Sequence, residues 1–209
     1  MLKVNNLTFQ YKNAKTSFSF PNLDLKEGEN LLVLGKSGIG KTTFLHLLAG
    51  LLTPTSGEVI IDDVPIYSLS NAALDKFRGQ NIGVIFQKKH AIQSLNSIEN
   101  IKTRLFFSGK PNDTNKINLL LDHLNIDECK YNNVTTLSEG QLQRLSIAMA
   151  VIHEPRVILA DEPTSSLDDE NCKKVIDLLI QQAQLTKAIL IVITHDHRVK
   201  SLFSNSITL

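Results

Sequence analysis

Apolar and polar positions follow one another in two different patterns along this chain. Near-continuous apolar runs at residues 31–34, 83–86, 157–160 and 189–193 are typical of strands that are buried on both faces. Helical patterns separate these runs, beginning with residues 41–49. This order predicts an α/β fold in which a mainly parallel core sheet is covered by helices.

The N-terminal part of the chain has a different pattern. Residues 2–9 and 57–62 alternate between apolar and polar positions or are rich in β-branched side chains. Turn-forming residues occupy positions 54–57 and 62–63. We therefore predict an antiparallel β-lobe there.

The middle of the chain, residues 88–150, has no convincing strand. It holds helical patterns at about 98–107, 114–124 and 138–152. We predict a single domain over residues 1–209. Its core and β-lobe are formed by residues 1–87 and 151–209, and a helical lobe, residues 88–150, is inserted between them.

Composition narrows the choice of partners only slightly. The formal net charge of +1 provides no strong field that would point to nucleic acid or to an anionic membrane. Cys129 and Cys172 are isolated and lack metal-binding spacing. No signal peptide is visible, and the longest apolar run, residues 188–193, is too short to cross a bilayer. If the protein works at a membrane, we expect another chain to provide the membrane-spanning part.

A glycine-rich loop lies between the first buried run and a helical pattern, which is the context that phosphate-binding loops require. Its residues are Gly35, Lys36, Ser37, Gly38, Ile39, Gly40, Lys41 and Thr42. The glycines let backbone N–H groups converge on phosphate oxygens, and the helix N-terminus adds partial positive charge. Lys41 would reach the β- and γ-phosphates, and Thr42 would ligate Mg²⁺. The alternative is a glycine-rich turn with a surface lysine.

Two acids, Asp161 and Glu162, directly follow the apolar run 157–160. In open parallel sheets, ligands bind at the carboxyl ends of the strands. At such an edge Asp161 would hold Mg²⁺, directly or through water, and Glu162 would polarise the attacking water as a general base. The alternative is a strand that ends in solvated acids.

Residues 137–141 read Leu-Ser-Glu-Gly-Gln, and we call them the signature segment. Ser138 and Gln141 have the spacing of a capping box, so they are expected to open a helix. A helix N-terminus that bears Ser138, the Gly140 backbone N–H and Gln141 could also receive a γ-phosphate. Because this segment belongs to the helical lobe, a second copy of the chain could supply it.

The phosphate loop, the signature segment and the acidic pair, in this order, resemble the ATP-binding subunit of ABC transporters. The match runs nearly from end to end. The resemblance implies a P-loop NTPase fold and an ATPase that requires Mg²⁺. It also implies that two ATP molecules lie between two subunits, each held by the phosphate loop of one subunit and the signature segment of the other. Ser138, Gly140 and Gln141 would then contact the nucleotide of the partner copy.

Other residues match single positions of the family. Gln87 follows the predicted strand 82–86 and matches the glutamine that senses Mg²⁺ and water; His195 matches the switch histidine at the γ-phosphate. Tyr11 matches the aromatic residue that stacks on adenine. Each has a simpler explanation, because Gln87 could bond within a turn, His195 could cap a strand and Tyr11 could only pack.

The match also extends to Thr43, next to the phosphate loop, and to residues 165–168, the family's D-loop. Asp168 would contact nucleotide, or it could simply cap a helix. The resemblance thus implies a catalytic set of Lys41, Gln87, Glu162 and His195. The magnesium ligands that it implies are Thr42, Gln87 and Asp161.

Three segments, residues 54–59, 82–87 and 97–101, resemble the lipoprotein-release, macrolide-efflux and cell-division group of cassettes (LolD, MacB and FtsE). In that group ATP drives a membrane partner that transmits motion. There are departures from the family pattern at Glu139, Asp63, Ser166 and Gln93. Glu139 favours the helix dipole but adds negative charge near a γ-phosphate bound in trans, which is expected to lower affinity or rate.

The resemblance therefore implies an ATPase subunit that forms a homodimer with ATP-Mg and drives an integral membrane permease or mechanotransmission subunit. The subunit would then be bound to the cytoplasmic face of the cell membrane by that partner. The alternatives are an amino-acid-importer cassette, a soluble ABC ATPase acting on nucleic acid or the ribosome, and a regulator without turnover. Soluble members of the family carry either a long coiled coil between the two lobes or two cassettes in one chain. This sequence has no heptad pattern between its lobes and only one cassette, which argues against the soluble class. Glu162 and His195 argue against a regulator.

Overall fold

The computed structural model describes residues 1–12, 16–88, 90–165 and 167–209. The strands are β1 Leu2–Gln10, β2 Ser17–Ser19, β3 Leu23–Leu25, β4 Asn30–Leu34, β5 Ser56–Ile61, β6 Val64–Pro65, β7 Ile82–Ile85, β8 Val157–Asp161, β9 Ile189–Thr194 and β10 Asn205–Thr208. The helices are α1 Lys41–Leu48, α2 Asn71–Asn81, α3 Ser97–Ser108, α4 Thr114–His123, α5 Glu139–Val151 and α6 Asp169–Thr186. The Ser166 departure lies outside the described residues.

The core sheet has five strands in the order β10-β4-β9-β8-β7, and every neighbouring pair is parallel. Its apolar runs are continuous because both faces are covered. In β9, Leu190 and Val192 belong to a core cluster with helices α3 to α6, whereas Ile189, Ile191 and Ile193 belong to a second cluster with α1 and the β-lobe. The predicted α/β class with a parallel core is therefore confirmed.

The antiparallel sheet of the β-lobe has the order β2-β1-β5-β6, and β3 also pairs with β1. Asp62 and Asp63 form the tight turn between β5 and β6, with φ values of 46° and 63°. Both torsions are left-handed, which explains why a glycine is expected at this turn. Aspartate is one of the few other residue types that tolerate this region.

Helices α3, α4 and α5 occupy the middle of the chain, close to their predicted bounds. Within the described part of residues 88–150, strand-like pairing is limited to an isolated bridge between Asn96 and Asn133. Helices α2 and α6 come in addition to those predicted. The strand predicted over 82–86 ends at Ile85, because Phe86 already leaves the pairing with β8.

Two contacts connect the helical segment to the core sheet. Arg104 on α3 donates from Nη2 to the carbonyl oxygen of Ile82 and to Nε2 of buried His153, both at 2.7 Å. A Cβ on Gly83 in β7 would lie 2.1 Å from the carbonyl oxygen of Ala150 in α5. The absence of a side chain at Gly83 therefore lets the α5 backbone lie directly against β7. No helix among the described residues is long and apolar enough to cross a membrane.

Candidate functional site

The site lies at the carboxyl edge of the core sheet. The phosphate loop leaves β4, Gln87 follows β7, Glu162 follows β8 and His195 follows β9. The register pairs Leu34 with Thr194 and Asp161 with Ile193, so these strands end at the same level. Residues from four distant parts of the sequence therefore meet at one edge, where open parallel sheets bind ligands.

Lys41 begins α1 and is buried beneath the phosphate loop. Its Nζ atom donates to the carbonyl oxygens of Gly35 at 2.8 Å and Lys36 at 3.2 Å, and it lies 3.4 Å from Oε1 of Glu162. The carbonyl oxygens of the loop therefore hold the ammonium group of its own lysine. A bound phosphate would compete with these carbonyl oxygens for the same ammonium group.

Gly40 caps the N-terminus of α1 with a left-handed φ of 105°. A Cβ at this position would come within 2.7 Å of the Phe18 ring. Conformation and space therefore both require glycine here. Phe18, on β2, packs against the phosphate loop and was not predicted as a site residue; an aromatic residue on a short strand gives no local sign of this role.

Thr42 and Asp161 meet across the edge, with Oγ1 of Thr42 donating to Oδ2 of Asp161 at 2.8 Å. The other carboxylate oxygen, Oδ1, is buried and finds no hydrogen-bond partner among the described residues. Burial raises the pKa of Asp161, and the Thr42 hydrogen bond opposes this shift. A buried oxygen without a partner next to a hydroxyl fits a small hard cation such as Mg²⁺, which prefers oxygen ligands. These two residues therefore fit the predicted magnesium site.

Glu162 receives several hydrogen bonds on its buried carboxylate. Thr194 Oγ1 donates to Oε2 at 2.7 Å, the His195 backbone N–H donates to Oε1 at 3.2 Å, and His195 Nδ1 lies 2.9 Å from Oε1. Burial raises the pKa of Glu162, but the hydrogen bonds from His195 and Thr194 outweigh it, so the net shift is downward. The carboxylate is therefore ionised at neutral pH.

The backbone of Glu162 adopts a left-handed φ of 48°, which is rare for residues other than glycine. Its N–H donates to the carbonyl oxygen of Ile193 at 2.8 Å, which holds this conformation in place. Strained torsions of this kind typically cost about 1–3 kcal/mol and concentrate at functional sites.

These residues surround a cavity of about 510 Å³. It is lined by Tyr11, Phe18, Ser37, Gly38, Gly40, Lys41, Thr42, Thr43, Gln87, Glu162 and His195. The Tyr11 hydroxyl lies 2.8 Å from Oγ1 of Thr43, and its ring meets the edge of Phe9 at a centroid distance of 4.7 Å. Tyr11 is thus both packed and exposed to the cavity. Gly35, Lys36 and Ile39 belong to the loop but do not line the cavity.

The signature segment lies elsewhere. Ser138 and Gln141 form the expected capping box at the start of α5: the Gln141 N–H donates to Ser138 Oγ at 3.3 Å, and the Ser138 N–H donates to Gln141 Oε1 at 2.8 Å. Ser138, Glu139 and Gly140 are exposed, and Gln141 is half-buried. Among the described residues that line the cavity, none comes from this segment.

Asp168 also lies outside the cavity lining. It caps α6 by accepting from the Asn171 N–H at 2.8 Å, and this hydrogen bond lowers the pKa of its carboxyl group. The capping alternative is therefore what the structure shows for this residue. Its contact with nucleotide stays a prediction, as do the contacts of the signature segment.

Known proteins match the chain along its whole length. The family model of ABC transporters matches residues 19–165. The lipoprotein-releasing system ATP-binding protein LolD of Syntrophus aciditrophicus (strain SB) is 35% identical and matches 100% of the chain and 96% of its own length. The LolD protein of Shewanella frigidimarina (strain NCIMB 400) is 32% identical, with 100% of the chain and 90% of its own length matched.

Solved structures agree. The chain is similar to the dimeric structure of MJ0796, a bacterial ABC transporter cassette, with a TM-score of 0.89, 32% identity, and coverage of 100% of this chain and 94% of that one. A dimeric post-hydrolysis state of MJ0796 bound to ADP and Pi has the same values. For cbiO1 of Clostridium perfringens, part of the ABC transporter complex cbiONQ, the TM-score is 0.88 at 28% identity, covering 99% of this chain and 83% of that one. With its P-loop fold, the chain therefore belongs to the ABC transporter family, as an ATP-binding cassette that hydrolyses ATP with Mg²⁺ as its cofactor.

Proposed function

We propose that Lys41, Gln87, Glu162 and His195 form the catalytic set of this ATPase. Lys41 binds the β- and γ-phosphates, since it is a buried cation at the N-terminus of α1. Glu162 accepts a proton from the attacking water, because it is an ionised carboxylate that faces the cavity. His195 contacts the γ-phosphate; its side chain is 64% exposed and adjoins Glu162. Gln87 lines the same cavity and orients water beside the metal.

Nucleotide binding by the remaining loop residues follows from the same arrangement. Thr42 and Asp161 hold Mg²⁺ together with Gln87, and when bound the ion neutralises phosphate charge. Tyr11 stacks on the adenine ring, and Thr43 supports it through the contact between their hydroxyl groups. The backbone N–H groups of the glycine-rich loop bind phosphate oxygens.

We further infer that the active form is a homodimer around two ATP-Mg. One observation carries this proposal: the signature segment opens an exposed helix N-terminus but does not line the cavity that contains Lys41. Ser138, Gly140 and Gln141 can therefore complete a site only in another copy. Asp168 belongs to the same interface.

The test of this proposal is the Glu162→Gln variant, which keeps the shape of the side chain and removes the base. With ATP-Mg it should accumulate as a dimer in light scattering, because binding survives and hydrolysis is lost. Glu27→Gln, which changes an exposed acid between β3 and β4, is the matched control and should behave like the unchanged chain. A Glu162→Gln variant that stays monomeric in saturating ATP-Mg contradicts the dimer proposal.

The membrane partner docks, we propose, in a second cavity of about 590 Å³ between the helical lobe (residues 88–150) and the core. Its walls include Val84, Ile85, Phe86, Lys88, Ala91, Arg104, Phe107 and Met149. Phe86 and Lys88 flank Gln87, so this groove adjoins the nucleotide cavity. The two relatives named LolD support a partner of the lipoprotein-release type. The expected location is the cytoplasmic face of the cell membrane, through that partner.

A pull-down from detergent-solubilised native membranes tests the partner. The bait is the Glu162→Gln chain with ATP-Mg, and the captured proteins are identified by mass spectrometry. We expect a stoichiometric integral membrane protein whose capture falls when Phe107, a 69% exposed groove residue, is replaced by serine. Capture of ribosomal or DNA-associated proteins alone would move the chain to the soluble class of ABC ATPases.

A further inference from the structure

Thr194 is a fully buried polar residue at the carboxyl end of β9, between the core of the sheet and His195. A buried hydroxyl group is costly unless it is hydrogen-bonded, so its partners indicate its role. One partner lines the nucleotide cavity and the other directly follows His195: Oγ1 is 2.7 Å from Oε2 of Glu162 and 3.0 Å from the backbone nitrogen of Asp196.

The direction of these two hydrogen bonds is determined by their chemistry. The Asp196 N–H can only donate, so the Thr194 oxygen is its acceptor. The single hydroxyl proton is then directed to Glu162, whose carboxylate can only accept. The hydroxyl group therefore holds one carboxylate oxygen in a set position.

Asp196, whose N–H donates to Thr194, is itself held in place by hydrogen bonds to its carboxylate. Arg198 donates to both carboxylate oxygens of Asp196, from Nε at 2.9 Å and from Nη2 at 2.7 Å. Thr164 donates to the same carboxylate at 3.3 Å. The Arg198 hydrogen bonds lower the pKa of Asp196 to about 2, so this carboxylate keeps its charge and its partners.

The other side-chain partners of Glu162 are of a different kind. Lys41 and His195 line the nucleotide cavity, and both carry groups that a γ-phosphate would attract. Thr194 is not among the residues that line this cavity, so phosphate does not compete for its hydroxyl group. A γ-phosphate that drew Lys41 and the His195 ring away would therefore leave the Thr194 hydroxyl and the backbone N–H of His195 as the hydrogen bonds on Glu162.

We propose that Thr194 is a positioning residue that holds the Glu162 carboxylate in place for proton transfer while nucleotide is bound. This inference rests on the proposed role of Glu162 as the general base. It predicts that the Thr194 hydroxyl group acts on turnover and leaves ATP binding nearly unchanged.

The test compares Thr194→Val with Thr194→Ser. Valine keeps the branched shape but has no hydroxyl group; serine keeps the hydroxyl group but loses a methyl group. We expect Thr194→Val to lower kcat by about 10- to 100-fold, the usual range for residues that orient a catalytic ligand, with KM changed by less than about threefold. Thr194→Ser should restore most of kcat, even though its smaller side chain packs less well.

A second measurement does not depend on turnover rate. Light scattering in ATP-Mg should find more dimer for Thr194→Val than for the unchanged chain, because the ATP-bound state decays more slowly. Thr194→Ser should dimerise like the unchanged chain. Melting temperatures of both variants show whether kcat follows the hydroxyl group or stability.

Two results would overturn the inference: a normal kcat in Thr194→Val, or equal losses of kcat in the valine and serine variants. The Glu162→Gln variant distinguishes a wrong role for Thr194 from a wrong role for Glu162 as the general base. If that variant still hydrolyses ATP, the role of Glu162 is wrong. If it is inactive while Thr194→Val is fully active, only the role of Thr194 is wrong.

Discussion

The phosphate loop and the signature segment are both helix N-termini, yet they differ in what surrounds them. The loop at α1 is enclosed by Lys41, Phe18 and Glu162 on the edge of the sheet. The signature segment at α5 is exposed and faces solvent in a single chain. The first is a lined cavity within one chain, whereas the second is an exposed helix N-terminus that, in the proposed dimer, would meet the nucleotide of the other copy.

Both regions satisfy polar groups through internal hydrogen bonds. Lys41 bonds to carbonyl oxygens of its own loop, and Ser138 and Gln141 bond to each other. In the proposed sites each would exchange internal hydrogen bonds for bonds to nucleotide, so net affinity would be smaller than the number of new contacts suggests. In the proposed mechanism this exchange would occur on monomer binding for the loop and on dimerisation for the signature segment. Variants should separate these two events.

Lys41→Ala should have the largest effect, because it should prevent the phosphate loop from binding ATP. Loss of a buried cation that meets phosphate should weaken ATP binding by at least about 100-fold, because charge-assisted hydrogen bonds contribute roughly 1.5–3 kcal/mol each. Titration with a fluorescent ATP analogue measures the change. Lys26→Ala, an exposed lysine between β3 and β4, is the control. Undiminished binding would remove Lys41 from its proposed role.

Ser138→Ala should impair the signature segment and leave the phosphate loop unaffected. ATP binding to the monomer should stay within about twofold. ATP-driven dimerisation should weaken by about 10- to 100-fold for each of the two sites, since one hydrogen bond to a charged phosphate is lost at each. Binding and dimerisation are measured separately, by titration and by light scattering in the Glu162→Gln background.

Ser138→Ala also removes a helix cap, at a typical cost of about 1 kcal/mol. Ser70→Ala is the matched control, because the Ser70 side chain caps α2 by accepting from the Ala73 N–H, away from the phosphate loop and the signature segment. It should lose similar stability but dimerise normally. Equal loss of dimer in both variants would mean that capping, and not phosphate contact, explains the result.

His153 concerns the stability of the connection between the two regions, because it accepts a hydrogen bond from Arg104 of the helical lobe. Burial, followed by the charge of Arg104, lowers its pKa from 6.5 to about 3. The unfolded chain therefore binds a proton that the folded chain does not bind between these values. The free energy of unfolding should fall as pH drops below 6.5, by at most about 1.4 kcal/mol per pH unit from this group.

Urea denaturation between pH 7.5 and pH 4.5 measures this dependence. In His153→Gln an amide oxygen can still accept from Arg104 but cannot titrate, so the stability of this variant should change less steeply with pH. The same slope in both proteins would show that His153 binds its proton equally in the folded and unfolded states, which would contradict the lowered pKa.

Substitution of Glu139 should have the smallest effect, and this effect should be confined to the signature segment. Glu139→Gln removes a negative charge from the first turn of α5, where the γ-phosphate of a partner copy would arrive. We expect ATP-driven dimerisation to strengthen by about two- to fivefold, with a smaller gain at high salt. Glu128→Gln, another exposed acid of the helical segment, is the control. Weaker dimerisation in Glu139→Gln would contradict the repulsion argument.

The parts predicted well from the sequence are those whose cause is local. Buried strands have continuous apolar runs because both faces of the core sheet are covered, and the phosphate loop has its residues within one short segment. Helix α2 was not predicted because none of its residues is fully buried, so its pattern is weak. The turn at Asp62 and Asp63 was predicted from residue type.

The parts that escaped prediction depend on register. Thr194 meets Glu162 because β8 and β9 pair Asp161 with Ile193, and no spacing along the chain reveals that pairing. Phe18 meets Gly40 because β2 lies next to the loop in space. The sequence motifs indicated which groups take part in the chemistry; the contacts that hold those groups in place come from the packing of strands.

Gly83 has a mechanical consequence. It brings the backbone of β7 against Ala150, near the C-terminal end of α5, while the signature segment lies at the other end of that helix. At 1.5 Å per residue, the two ends are roughly 18 Å apart. A rotation of about 10° around the Gly83–Ala150 contact would move the signature segment by roughly 3 Å, about the length of one hydrogen bond. With this geometry, a small displacement at the groove would be enlarged along α5 into a movement of the signature segment, which is how docking of the proposed partner would reach the proposed nucleotide contact.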